Sequence, residues 1–299
     1  MMNKNGFSRC GENYINRLRK EGRYSTAHVY KNALYSFSKF CGTLNMSFRQ
    51  VTKERLRRYG QYLYECGLKP NTISTYMRML RSIYNRGVDM HQAPYVHGLF
   101  RDVFTGVDTR QKKAIPIGEL HMLLNKDPQS EKLRRTQAIA NLLFQFCGMP
   151  FSDLAHLEKS NLERGLLKYN RTKTGTPMSI EVLESAQNAI GGLYNKSDAR
   201  SSGYPDYLFR ILSGAYKRNE EGAYREYQSA LRRFNNELKS LSRKLRLHSP
   251  VTSYTLRHSW ATTAKYRGVP IEMISESLGH KSIKTCLLYT SPSPRDRQK

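Results

Sequence analysis

Arginine, histidine, lysine and tyrosine side chains, which can bind anions and transfer protons, occur at intervals in the second half of the chain. Near the C-terminus the pair Arg257-His258 is followed by Leu278-Gly279-His280, and Tyr289 lies nine residues after that histidine. Upstream, Lys173 follows Arg171 by two residues. Guanidinium groups form forked hydrogen bonds with phosphate oxygens, and imidazole groups exchange protons near neutral pH. Together these side chains could hold a phosphate and move protons around it.

Other kinds of reactive site find little support in the sequence. No glycine-rich phosphate loop, zinc-protease helix or Gly-x-Ser-x-Gly elbow occurs. Acidic residues are few and not clustered, which disfavours two-metal nuclease chemistry. The five cysteines are scattered, which argues against a disulfide scaffold and a structural zinc site and fits a reducing cytoplasm. We therefore expect neither a metal nor a cofactor.

The chain is strongly basic. Among 299 residues, Lys plus Arg number 50 and Asp plus Glu number 24, which gives a formal net charge of +26. Such a charge predicts a polyanionic partner, most commonly nucleic acid. By count, residues 1–105 carry 18 basic and 6 acidic residues, so both halves are basic, as in a clamp that grips a duplex. The alternative is a solvated basic surface without a specific role. No apolar run is long enough for a membrane span, and no signal peptide is predicted.

Apolar residues spaced three and four apart predict a helical first third of the chain. We expect helices that start near Ser25, Thr52 and Asn71 and end at Gly42, Gly67 and Gly87. The third helix has a polar and basic outer face formed by Ser74, Arg78, Arg81 and Asn85. Such a face can enter a DNA major groove or can be the solvated side of a small bundle.

The remaining two thirds begin after a polar segment, residues 101–114, that predicts an interdomain linker. Helices are expected over 119–124 and 136–146, and a β-hairpin over 166–182 around Lys173-Thr174-Gly175. From Tyr224 to Leu245 the apolar spacing predicts a long amphipathic helix. It can pack on its own domain, which we favour, or form a coiled coil.

In this order, these motifs resemble the tyrosine recombinase, or phage-type integrase, family. Its signature is an Arg-His pair, a Leu-Gly-His and a tyrosine about nine residues on. The resemblance covers nearly the whole chain and implies an α+β fold, mainly α with a small β-hairpin. It implies a helical core-binding, SAM-like domain over 1–105, a linker over 106–112 and a catalytic domain over 113–289. The serine- and proline-rich tail, 290–299, is predicted to be disordered and has the composition of a foreign addition.

The resemblance implies a metal-free, site-specific recombinase that cuts and rejoins duplex DNA through a 3′-phosphotyrosine. Tyr289 would be the nucleophile and Arg257 the phosphate clamp, His258 and His280 would exchange protons or hold the phosphate, and Lys173 would protonate the leaving 5′-oxygen. The enzyme would be monomeric in solution and tetrameric on synapsed sites, with DNA-bending accessory proteins as further candidate partners. It would act in the cytoplasm, encoded by a bacterium or a phage, in integration, excision or inversion of a mobile element.

Three departures from the family pattern bear on activity. Pro150 stands where the family usually has its first arginine, and Cys147 stands where one branch has it. We expect Arg171, on the same strand face as Lys173, to supply part of the missing charge. Tyr254 replaces a common histidine, and its hydroxyl can bond a DNA phosphate.

The third departure is the tail after Tyr289, which lacks the helical segment that family members commonly dock on a neighbouring subunit. Together the departures leave two alternatives open. One is a DNA-binding regulator on the same scaffold with impaired catalysis. The other is a nicking-closing enzyme like the type IB topoisomerases.

Overall fold

A computed structural model describes residues 6–108, 114–196, 203–283 and 286. The chain divides into two compact units, Met1–Arg110 and Gln111–Lys299. The finer predicted bounds of domains and linker stay a prediction. Tyr289 and the tail 290–299 lie outside the described residues. Within the described ranges, no helix is both long and apolar enough to cross a bilayer.

The N-terminal unit is helical in its described part. Its helices are α1 (Phe7–Lys20), α2 (Tyr24–Cys41), α3 (Lys53–Glu65) and α4 (Pro70–Asp89). Two predicted boundaries are confirmed by their caps. Gly42 ends α2 in a left-handed conformation, φ 68°, and the Thr52 hydroxyl accepts the Arg55 N–H at 3.2 Å to begin α3. Aromatic rings fill the core, with Phe37 and Tyr59 in contact at its centre.

The prediction that α4 ends at Gly87 is wrong, because the helix continues to Asp89. At this position inside the helix, Gly87 instead allows another side chain to pack closely against the backbone. A Cβ atom on this residue would lie 2.2 Å from the Cζ atom of Phe48, so only glycine lets that ring rest against the helix. The sequence pattern identified the glycine as important but could not distinguish a close approach from a helix stop.

The first residues of the predicted linker are fastened to the start of α4. The Asn71 side-chain amide donates to the Asp108 carbonyl at 2.9 Å and accepts the Asp108 N–H at 2.8 Å. The Ser74 hydroxyl donates to the Gly106 carbonyl at 2.5 Å. Residues 106–108 are therefore bound to the N-terminal unit.

The C-terminal unit combines helices with one small sheet. In its described part the helices are α5 (Ile117–Asn125), α6 (Glu131–Gln145), α7 (Phe151–Ala155), α8 (Glu184–Leu193), α9 (Glu221–Lys244), α10 (Ser253–Tyr266) and α11 (Ile271–Ser277). The strands β1 (Leu162–Glu163), β2 (Leu166–Asn170) and β3 (Pro177–Glu181) form an antiparallel sheet in the order β1-β2-β3. Asn170 pairs with Pro177, which confirms the predicted hairpin around Lys173.

Helix α9 packs on its own unit, as favoured by the sequence. Phe234, Leu238 and Leu241 are buried in the same core cluster as Leu256 of α10. Phe234 also stacks on Phe151 of α7, with ring centroids 4.7 Å apart. The apolar stripe is therefore used inside the unit, and the coiled-coil alternative loses its support.

Three polar side chains fix the start of α10, the helix that carries Arg257. The Thr252 hydroxyl caps it by accepting the Thr255 N–H at 3.2 Å, and the Asn235 side chain of α9 accepts the Ser253 N–H at 2.9 Å. Glu119 of α5 accepts the backbone N–H groups of Ser249 at 3.0 Å and His248 at 3.2 Å, just before the helix. Neighbouring elements thus set the position of this helix.

We expect Gly87→Ala to destabilise the protein by about 1–3 kcal/mol, because the new methyl group must displace the Phe48 ring from a packed core. Gly60→Ala in α3 is the matched control. Its Cβ would meet only the flexible end of Met77 at 3.3 Å, so alanine should be neutral or stabilising by up to about 1 kcal/mol. Urea unfolding curves measure both. Equal effects of the two substitutions would contradict the packing role of Gly87.

Glu119→Gln should lower the melting temperature near pH 7 more than near pH 3. Hydrogen bonds from the backbone, first that of Ser249, hold the pKa of Glu119 below its ordinary value. The resulting stability is present above the unfolded-state pKa and is lost as the pH falls through the folded-state value. Melting curves of the two proteins across this pH range should converge in acid, and Glu272→Gln, at an exposed site, serves as the control. A gap independent of pH would refute the assignment.

Candidate active site

Arg257 lies buried in the first turns of α10, where its guanidinium group is held by backbone oxygens. Nη1 donates to the Gly148 carbonyl at 3.0 Å, and Nη2 donates to the Leu278 carbonyl at 2.6 Å. Nη2 also lies 3.2 Å from Nε2 of His280. Helix α10, the turn before α7 and the turn after α11 therefore meet at this one side chain, and they hold its guanidinium in a fixed orientation.

The Leu278-Gly279-His280 motif forms the turn that follows α11. Gly279 has φ +63°, and the backbone N–H of His280 donates to the Ser275 carbonyl at 3.0 Å, which closes the helix. A Cβ on Gly279 would lie 2.9 Å from Met178 Sδ and 3.0 Å from Arg171 Cγ. The motif thus needs glycine both for its backbone conformation and for the approach of the Arg171 stem.

Arg171 brings a second guanidinium to the same carbonyl. Its Nη1 donates to Leu278 O, and its Nε lies 2.9 Å from Oδ2 of Asp153, forming a buried ion pair. Asp153 Oδ1 also accepts the Thr172 N–H at 3.2 Å. Counting formal charges, two guanidiniums and one carboxylate leave this buried cluster with one net positive charge before any histidine is protonated. That is a suitable environment for a phosphate.

The prediction that Arg171 and Lys173 share a strand face is wrong. Strand β2 ends at Asn170, and the Gly175 N–H donates to the Arg171 carbonyl at 2.8 Å, so the chain turns at this point. Arg171 is buried at the base of the turn, whereas Lys173 is exposed at its tip. Among the described residues Lys173 forms no hydrogen bond with Arg257 or His280, so its side chain would have to extend from the hairpin tip to reach a bound substrate.

His258 and Tyr254 lie one turn apart on α10. His258 is buried, Tyr254 is about half exposed, and the two rings meet edge to face with centroids 4.5 Å apart. The predicted DNA contact of Tyr254 stays a prediction, as do the roles of the two histidines.

The turn between α6 and α7 occupies the place of the family's first arginine. Cys147 and Gly148 both have left-handed backbones, φ 54° and 64°, and Pro150 precedes the first turn of α7 as its N-cap. Burial raises the pKa of the Cys147 thiol, so this position is neutral at physiological pH. A Cβ on Gly148 would lie 3.1 Å from the Arg257 Cα, so glycine lets α10 approach this turn.

Sequence reasoning missed Asp153 and the two carbonyl acceptors, Gly148 O and Leu278 O. A lone aspartate carries no motif, and backbone oxygens carry no side-chain pattern at all. The one available signal was the pairing of glycines with the chemistry-bearing residues in Cys147-Gly148 and Gly279-His280, since glycine next to a reactive group often marks a close backbone approach.

The DNA face predicted on α4 stays a prediction. Arg78, Arg81 and Asn85 are exposed, as such a face requires. Ser74 is fully buried and bonded to Gly106, so its assignment to the DNA face is wrong. Residues 106–108 cover the first turns of α4. Helical periodicity alone cannot show that another segment covers part of a helix.

Comparisons with known proteins agree with this geometry. The model of the phage integrase SAM-like domain matches residues 7–95, and the model of the phage integrase family matches residues 117–295. A probable integrase/recombinase of Methanocaldococcus jannaschii is 27% identical over 292 residues, covering 94% of this chain and 80% of the relative. The tyrosine recombinase XerD of Halalkalibacterium halodurans is 28% identical over 257 residues, covering 82% of this chain and 78% of the relative.

Solved structures share the fold. The Tn1549 transposon integrase, in complex with a circular intermediate DNA, has a TM-score of 0.65 at 15% identity and covers 98% of both chains. A lambda integrase dimer bound to a core site also has a TM-score of 0.65, at 13% identity, covering 95% of this chain and 96% of that one. Because the family model spans more than half of its length, this chain belongs to the phage integrase family, the tyrosine recombinases that carry out site-specific DNA recombination.

Proposed function

We propose that the chain cuts and rejoins duplex DNA through a covalent bond between Tyr289 and a 3′-phosphate. The observation that carries the proposal is the meeting of Arg257, Arg171 and His280 around the Leu278 carbonyl. This cluster can neutralise the negative charge that develops on the non-bridging phosphate oxygens during attack. The family membership supplies the reaction type.

The step is a transesterification. The Tyr289 oxygen bonds to phosphorus while the bond from phosphorus to the 5′-oxygen breaks, so no energy-rich cofactor is consumed. His280 or His258 accepts the phenolic proton, and Lys173 gives a proton to the leaving 5′-oxygen. Arg257 holds the phosphate. A 5′-hydroxyl of a second strand then reverses the same step to complete the exchange.

Arg171 takes over part of the role of the missing first arginine in this proposal. Its guanidinium reaches the same carbonyl as Arg257 and is buried, so its free donors lie close to the phosphate clamp. The carboxylate of Asp153 neutralises part of the positive charge of Arg171, so Arg171 replaces the missing arginine only in part. The partly buried thiol of Cys147 has a raised pKa and is neutral, so it adds no positive charge.

The proposed partner is double-stranded DNA, held by Arg78, Arg81 and Asn85 of α4 and by Tyr254 of α10. A lambda integrase tetramer has been solved on a Holliday junction. We extend that arrangement to this chain as a homotetramer on synapsed sites that forms from free monomers. The proposed setting is the cytoplasm of a bacterium, where the DNA of a mobile element and any DNA-bending accessory proteins lie.

A DNA-binding regulator is the second candidate, favoured by the neutral Cys147 at the position of an arginine. The two candidates differ in one product, the covalent adduct. A topoisomerase-like activity would form the same adduct but would relax plasmids that lack paired sites.

Trapping the covalent intermediate tests the proposal. Incubation with a nicked duplex, followed by a denaturing gel, should show an adduct whose mapped crosslink lies on Tyr289. Tyr289→Phe should abolish the adduct and retain DNA binding, whereas Tyr266→Phe, a change at an exposed tyrosine of α10, should form it normally. Tight binding without an adduct would establish the regulator, and a crosslink on another residue would exclude Tyr289 as the nucleophile.

The role of Arg171 has its own test, the rate of cleavage of a suicide substrate. Arg171→Gln should lower this rate by about 100-fold or more, as the loss of one charge-stabilising donor does elsewhere. Cys147→Arg should change it less than about tenfold, because Arg171 already lies at the clamp. The double variant Arg171→Gln/Asp153→Asn removes both charges of the ion pair and controls for a fold damaged by an unpaired buried carboxylate. Full activity of this double variant would show that Arg171 is only structural.

A further inference from the structure

One arginine of the N-terminal unit, Arg86, stacks on an aromatic ring and has no hydrogen-bond or ion-pair partner among the described residues. The Arg86 Cζ atom lies 3.5 Å from the centroid of the Tyr14 ring, so the guanidinium stacks on the aromatic face. Its Nε is buried without a hydrogen-bond partner. The terminal nitrogens therefore remain available as donors, in an orientation that the stacking fixes.

The Tyr14 ring, which supports this guanidinium, is itself held in place by a neighbouring side chain. The Tyr14 ring meets the Tyr30 ring edge to face, with centroids 4.9 Å apart, and the Tyr30 hydroxyl donates to Ser82 Oγ at 2.9 Å. These contacts tie together α1, α2 and α4, the last of which carries Arg86 itself. A cation on such a support loses little conformational entropy when it binds a ligand.

The surroundings leave the charge of Arg86 uncompensated. Arg17 lies over the same ring at 5.0 Å, which adds a second cation. The nearby carboxylate of Glu21 is already shared between Arg17 at 3.6 Å and Arg23 at 3.5 Å. No carboxylate in the described part of the chain pairs with Arg86. A partly buried guanidinium without a counter-charge is costly, and an anionic ligand would remove that cost.

We propose that Arg86, stacked on Tyr14, binds a backbone phosphate of duplex DNA. The inference rests on the proposed DNA-binding function and names a contact that the polar face of α4 did not include. Arg86 lies about 100° around the helix axis from Asn85, so the phosphate contact would border the exposed face of Arg78, Arg81 and Asn85. Tyr14 acts as the positioning residue. The competing interpretation is a cation–π contact that only joins α1 to α4.

The salt dependence of DNA binding separates these interpretations. The dissociation constant of the full chain for a short mixed-sequence duplex is measured between about 50 and 200 mM salt. Arg86→Gln should weaken binding on every sequence and reduce the slope of log affinity against log salt by about 0.9, the value for one lost phosphate contact. Arg164→Gln removes the same charge from the exposed turn between β1 and β2 and should leave the slope unchanged.

Two further variants distinguish the loss of a phosphate contact from a general loss of structure. Arg86→Lys keeps the charge, so it should preserve the slope and weaken binding. Tyr14→Leu removes the supporting ring and should also preserve the slope, while lowering affinity about two- to fivefold. Melting curves report the fold of each protein.

If Arg86→Gln lowers the melting temperature but its slope matches that of Arg164→Gln, the contact is structural and the inference is overturned. A loss of affinity confined to particular sequences, with the slope unchanged, would mean that Arg86 contacts a base and would also overturn the phosphate assignment. If the unaltered protein does not bind duplex DNA at all, the proposed function fails together with the inference.

Discussion

The carbonyl oxygen of Leu278 accepts hydrogen bonds from two guanidinium groups, and the catalytic unit depends on that shared acceptor. Two like charges about 4 Å apart repel by about 4 kcal/mol at an effective dielectric constant of 20, so such a meeting needs compensation. The carboxylate of Asp153 supplies it for Arg171, and the carbonyl of Gly148 supplies a further acceptor for Arg257. Asp153 and the carbonyl oxygens stabilise the cluster by compensating part of its positive charge, and the positive charge that remains suits a phosphate.

This arrangement draws on four segments that are distant in sequence: the turn between α6 and α7, the hairpin turn after β2, the start of α10 and the turn after α11. Each segment is held by backbone geometry. Gly148 and Gly279 adopt left-handed conformations and leave no room for a side chain, because α10 and the Arg171 stem pass directly against them. Glu119, Asn235 and Thr252 fix the start of α10 from outside. The site therefore exists only in the folded unit, and small changes at its glycines would act on the chemistry.

In the described part of the N-terminal unit, too, carboxylates neutralise some of the basic side chains and not others. Its basic residues are distributed between ion pairs, such as Arg17 with Glu21, and side chains that the described structure leaves without a carboxylate, such as Arg86. Asn71 and Ser74 have a polar character that suits DNA, yet they bind the backbone of residues 106–108. Residues 106–108 thus occupy the polar groups of both side chains, one of which, Ser74, the sequence had predicted for a DNA face.

The sequence by itself determined the family, the two-part organisation, most helix positions and the hairpin, because these depend on local periodicity, caps and motif order. It also named Arg257, His280 and Arg171, whose contacts the structure then described. Only the tertiary structure decided which polar residues bind another part of the chain. Ser74 and Asp153 look alike in a sequence pattern, as isolated polar residues near helix starts, but one binds a linker and the other an arginine. Burial and ion pairing are properties of long-range contacts, and helical periodicity cannot show which segment covers a given turn.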